Sequence, residues 1–215
     1  MTTDTDQKYI DDLVAHSEET LALWSNKEKT KRERMVVSAF LRCLGITFSS
    51  NDIESPQDDP PDIIYKEACF EVRELLDEGR RRGDESKERH ETLKNSTSFE
   101  DTLFPYDLPT PISYRKIFQL ITAALSKKAF RYGKQGCSDL DALVYVNLQN
   151  RFLNPTTGIT NFDSLITQGW RSVSFVTPPY SHVIFAKDTA PDFLKSNTGV
   201  AKREWDDPDI FFELT

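Results

Sequence analysis

Cysteine is scarce in this chain: Cys43, Cys69 and Cys137 are far apart among 215 residues and odd in number. No C-x-x-C joins any two of them, so neither a thiolate zinc cluster nor a disulfide framework is indicated. A reducing, cytoplasmic setting is therefore expected. Long apolar runs are missing too, and no stretch approaches the ~20 residues needed to cross a bilayer. The opening MTTDTDQKYIDD is acidic and has neither the positive region nor the apolar segment of a secretory signal. No Walker pattern, G-x-G-x-x-G or G-x-S-x-G occurs. His16, His90 and His182 stand alone, with no H-x-x-x-H or neighbouring cysteine pair, and read as structural or surface residues. Net positive charge is also lacking. The formal charge is -8, which works against a broad electrostatic grip on nucleic acid.

What is present is enough for one sizeable core. Hydrophobic residues make up 38% and charged residues 29%, with 14 Phe, 7 Tyr and 3 Trp arguing against a disordered chain. The basic residues are bunched rather than spread: KEKTKRER at 27–34, RRR at 80–82 and KKAFRYGK at 127–134. Each bunch reads either as a solvated face or as a place for phosphate. A single domain is expected, with residues 1–26 as a helical appendage, 27–190 as the core and 77–110 as an exposed insertion.

Hydrophobic spacing predicts a helix over 6–26 and a second over about 27–44, capped by Gly45. Two short strands, 62–66 and 68–76, follow a Pro- and Asp-rich loop at 51–61. A third helix fits 113–132, with Ser113 as N-cap and Gly133 after its end. Strands are expected at 142–148, 171–176 and 182–186, with a short helix at 162–169. The tail from Ala201 suggests no element. Alternation of this kind suits an α/β sheet with helices on its faces.

The segment DDPPDIIYKEACFEVRELL, residues 58–76, carries the chemistry. If Lys66 and Glu67 form a two-residue hairpin tip, Asp62 stands opposite Glu71 on one side of the sheet. Arg73 shares that side, and Ile63, Phe70 and Val72 take the other. Carboxylates about 5 Å apart repel by roughly 3 kcal/mol at an effective dielectric near 20. Either Arg73 or a bound Mg²⁺ would offset this. On spacing alone, two exposed acids and a metal site both remain open. Glu33 falls at the N-terminal end of the second helix's buried face, either as a favourable acid of an early turn or as a further ligand.

This spacing resembles the PD-(D/E)XK nuclease signature. Together with PPDIIYKEACFEV, LDEGRRRGDE, QGWRSVSFV and APDFLKSN, it makes the chain similar to a bacterial family of unknown function labelled "putative endonuclease". The resemblance implies a restriction-endonuclease-like α/β fold, a central mixed sheet flanked by helices in the order αβββαβ. It places the missing first strand at ITF, residues 46–48. It also implies Mg²⁺ or Mn²⁺ held by Asp62 and Glu71, with Glu33 as a helix acid, and DNA as the substrate.

Arg73 departs from the pattern, since arginine stays protonated and cannot take a proton from water. It can still hold a phosphate oxygen. Lys128, four residues after Ala124 on the third helix, is the candidate for the missing lysine. Arg80, Arg81, Lys127, Arg131 and Arg171 are candidate nucleic-acid contacts. Two functions fit: a metal-dependent endonuclease, or a nuclease-like module that binds nucleic acid or protein without cleaving it.

Overall fold

In a computed structural model of the chain, which describes residues 4–104, 107–154 and 162–204, two compact units separate. One comprises Met1–Arg32 with Leu76–Leu108, the other Glu33–Leu75 with Pro109–Thr215. In the first, α1 (Asp4–Leu23) packs against α3 (Asp84–Lys94). The segments expected as an appendage and an exposed insertion thus fold on each other. Ile10 and Leu93 are buried there, and a hydrogen bond of 2.8 Å joins Ser17 Oγ to His90 Nδ1.

The second unit is a seven-stranded mixed sheet flanked by helices. Its strands are β1 (Ile53–Glu54), β2 (Ile63–Tyr65), β3 (Ala68–Leu76), β5 (Asp141–Asn147), β7 (Ser172–Thr177), β8 (Tyr180–Ala186) and β9 (Ala201–Arg203), adjacent in that order. β5 and β7 run parallel, while β1–β2, β2–β3, β7–β8 and β8–β9 are antiparallel. A separate parallel pair joins β4 (Thr110–Ser113) to β6 (Arg151–Asn154).

α2 (Lys29–Cys43) covers one face of the sheet, where Val37, Phe40 and Leu41 meet Ile63, Phe70 and Val72. α4 (Tyr114–Cys137) covers the other, setting Tyr114, Ile117, Ile121, Leu125 and Ala129 against Val144, Val173 and Phe175. The short helices α5 (Asp163–Ile166) and α6 (Asp192–Lys195) complete the cover.

The caps behave as their residue types demand. Ser113 Oγ accepts from the Lys116 amide and starts α4, and the helical dihedrals break at Gly133, where φ is 68°. At the end of α2, Gly45 sits at φ 70°. Its amide donates to the Arg42 carbonyl, and the Ile46 amide donates to that of Leu41. This is a Schellman closure, and it explains a difference from expectation. Residues 46–48 form no strand, because the Ile46 amide is already committed to the helix end. The edge strand falls instead at Ile53–Glu54, after a turn capped by Ser49.

Four strands and a helix had no expectation from sequence: β1, β4, β6, β9 and α6. β9 begins the tail at Ala201, and residues 205–215 lie outside the described residues. The corner before β7 is tightly built. Gly169 has φ of 100°, and a Cβ on it would stand 2.8 Å from the Lys134 Cα. Trp170 beside it is fully buried.

Candidate metal centre

The hairpin forms as its residues require. Lys66 takes the left-handed conformation at the tip, with φ of 51°. Pairing then runs Tyr65 to Ala68, Ile64 to Cys69 and Ile63 to Phe70. The Asp62 amide donates to the Phe70 carbonyl at 3.0 Å, carrying the ladder one step further and bringing Asp62 level with Glu71. Strand alternation sends Val72 into the α2 core and turns Glu71 toward α4.

Glu71 is completely buried, while Asp62 keeps 8% of its surface. The Val72 amide donates to Asp62 Oδ2 at 2.9 Å, fixing that carboxylate. A third acid joins them: ligand atoms of Asp59, Asp62 and Glu71 all lie within 4.8 Å of one another. Asp59 was not singled out by sequence reading. It belongs to the loop DDPPD, where strand counting offers no register. The acidic density just before the hairpin was the available signal.

α4 supplies the positive charge. Lys128 Nζ forms an ion pair with Glu71 Oε1, and the Tyr132 hydroxyl donates to the same oxygen at 3.1 Å. Arg131 lies over the Tyr132 ring at 4.6 Å and donates to its hydroxyl. Burial pushes the Tyr132 hydroxyl above its usual range; Arg131 pulls the other way, and the charges of Asp59 and Asp62 add to the rise. Tyr132 therefore acts here as a neutral donor. Among the described residues, Glu71 Oε2 has no hydrogen-bond partner.

The remaining expected residues fall elsewhere. Arg73 is exposed and makes no ion pair among the described residues, so the counter-charge to Glu71 comes from Lys128 instead. Glu33 is not in the three-acid group, since α2 covers the opposite face of β3 from Glu71. Arg171, a candidate phosphate contact that equally suits a structural salt bridge, makes the salt bridge. It donates to both oxygens of buried Asp141, at 3.1 and 2.5 Å, and to the Glu67 carbonyl at 2.9 Å. Burial works against its charge, but Asp141, together with Cys69, offsets this and raises its pKa. Arg80 is likewise engaged by Asp77 and Glu85. Arg81 is exposed in the first unit, and Lys127 and Arg131 are exposed on α4.

The donor set fits a hard divalent cation. Every ligand atom is a carboxylate oxygen, the preferred partner of Mg²⁺ and Mn²⁺. An unpartnered oxygen on a completely buried carboxylate is also costly without a cation to receive it. Asp59, Asp62 and Glu71 are the residues that would hold such an ion.

No curated protein matches the chain. A solved protein of unknown function from Pseudomonas aeruginosa strain PAO1, described as belonging to the monooxygenase superfamily, is similar at 29% identity. The likeness covers 91% of this chain and 94% of that one, with a TM-score of 0.66. Residues 5–205 match the family described as "Putative endonuclease, protein of unknown function (DUF1780)", and the chain belongs to that family.

Proposed function

We propose that this protein is a divalent-metal-dependent endonuclease that hydrolyses phosphodiester bonds, with DNA as its substrate. In this reading its αβββαβ core is a restriction-endonuclease-like nuclease fold with a displaced lysine. One observation carries the reading: three carboxylates converge beside a lysine, and the buried one leaves an oxygen unpartnered. Mg²⁺ or Mn²⁺ in such a centre lowers the pKa of a bound water and stabilises charge on the scissile phosphate. The chain's own residues position the rest. The Val72 amide holds Asp62 in one orientation, and Tyr132 and Lys128 hold Glu71 by one oxygen, leaving the other without a hydrogen-bond partner among the described residues. Lys128 brings a positive charge to the place where phosphate charge develops, the task a lysine at position 73 would have had.

The test is cleavage of supercoiled plasmid and labelled oligonucleotides with Mg²⁺ or Mn²⁺. Asp62→Asn and Glu71→Gln proteins, folded by circular dichroism, should lose activity by about 100-fold or more. DNA and RNA left intact across a range of divalent metals would sink the proposal. The monooxygenase description belongs to the Pseudomonas protein. Among the described residues, the donors grouped with Glu71 are carboxylates, with no imidazole or thiolate beside them.

A second reading is favoured by the Lys128–Glu71 pair itself. An internal cation already balances the buried acid, which suits a nuclease-like module that binds without cleaving. Gel shifts in EDTA, unchanged in Glu71→Gln and never followed by cleavage on adding metal, would select this reading over the first.

A further inference from the structure

The metal centre uses only part of the charge on α4. This helix carries six basic residues and no acidic one, in a chain whose formal charge is -8. Lys128 turns inward to Glu71. Arg115, Lys116, Lys127, Arg131 and Lys134 are exposed, and none pairs with an acid among the described residues. Phe130 stands among them with 93% of its surface exposed, more than any other large apolar side chain among the described residues.

Helical spacing explains the company it keeps. Lys127, Phe130 and Arg131 are related by three and four residues and share one face. The next face holds Lys128 and Tyr132, so the two join at Arg131. Its guanidinium covers the Tyr132 ring, and Tyr132 donates to Glu71. Phe130 thus stands beside two cations without an acid partner among the described residues, and one of them, Arg131, contacts the Tyr132 that donates to Glu71.

We propose that Lys127, Phe130 and Arg131 form a platform for an unpaired nucleic-acid strand, with Phe130 stacking on a base and the two cations holding the flanking phosphates. The charge decides for a polyanion, and the exposed ring decides for an unpaired strand. A base offers its π face freely only when it is out of a duplex. The platform rests on the nuclease reading for its purpose, because it would present a single-stranded or splayed segment to the acids. It deepens that reading by naming the form of the substrate.

The experiment is fluorescence anisotropy in EDTA with labelled oligothymidine, oligouridine and a blunt duplex. Wild type should bind the single strands more tightly than the duplex, and the two single strands separate a DNA from an RNA source. Phe130→Ala should weaken single-strand binding by about 5- to 100-fold, in line with one stacked base. Phe130→Trp should keep the affinity, and Phe130→Leu should behave like alanine. Lys127→Gln and Arg131→Gln should each flatten the dependence of log K on log salt by about 0.7.

Equal single-strand affinity of Phe130→Ala and wild type would overturn the proposal, as would a wild type that binds none of the three probes. A Phe130→Ala protein that changes its sedimentation but not its nucleic-acid binding would show a protein contact instead, and the platform would fall. Since EDTA strips any metal, failure of cleavage and failure of stacking are read separately.

Discussion

A carboxylate with no exposed surface needs a cation within reach, and for Glu71 that cation comes from another element. Lys128 makes the ion pair, while Arg73, two places along the strand, lies in solvent. Lys128→Met should lower stability by roughly 2 kcal/mol in urea titrations run in EDTA. That is below the cost for a fully buried pair, because 21% of the lysine side chain is exposed. Adding Mn²⁺ should raise the thermal midpoint of this variant more than that of wild type, since an ion can replace the missing charge. Arg73→Met should change neither measurement.

His182 offers a second test at the level of one residue. Burial pulls its imidazole down to about 4, and the Gly199 backbone opposes this. It lies 5.2 Å from Tyr114, whose hydroxyl is pushed up to about 12, first by burial and then by Tyr180. Between an unfolded value near 6.5 and a folded value near 4, the unfolded chain takes up a proton that the folded chain does not. Stability therefore rises with pH across that window and is lost as pH falls through it. His182→Leu should flatten the stability–pH curve between these limits by on the order of 3 kcal/mol.

At the scale of elements, α4 is the structure's most consequential helix, and its start rests on one hydroxyl. Ser113→Ala should cost about 1 kcal/mol, measured by urea denaturation. That cap was legible in the sequence, and so was the hairpin. The strand pair 62–76 has a single tip that leaves Ile63, Phe70 and Val72 together on a buried face, so the facing of Asp62 and Glu71 followed by counting. What the sequence hid was set by longer-range contact. Asp59 enters the acidic group from a loop without periodicity. Residues 46–48 looked like a strand but spend a backbone amide on closing α2, and Ile53–Glu54 supplies the edge. Lys128 was legible because a lysine stood on an otherwise apolar stripe. Glu33 stayed open between an early-turn acid and a ligand because helix spacing says nothing about which face of the sheet the helix will cover.

Across the whole molecule, burial is unevenly shared. Ile10 and Leu93 are the buried apolar side chains among the described residues of the first unit, whereas the second has two apolar layers, one on each face of its sheet. Few buried contacts mean a small free energy of local opening. In native-state hydrogen exchange, the amides of α1 and α3 should therefore exchange well before those of β5 and β7. Equal protection in both units would contradict this. The charge is uneven as well: against a total of -8, α4 carries six basic residues and no acidic one.

The corner at Gly169 has a consequence for how this chain can drift over generations. A methyl group there would meet the Lys134 backbone, at 2.8 Å from Cα and 2.9 Å from the carbonyl oxygen, and backbone cannot rotate aside as a side chain can. The φ of 100° would strain any L side chain in addition. In a saturation library, position 134 should accept nearly every residue, while position 169 should return almost only glycine. The acidic centre, whose Tyr132 stands two residues before Lys134 on α4, would then be inherited together with a residue that takes no part in its chemistry.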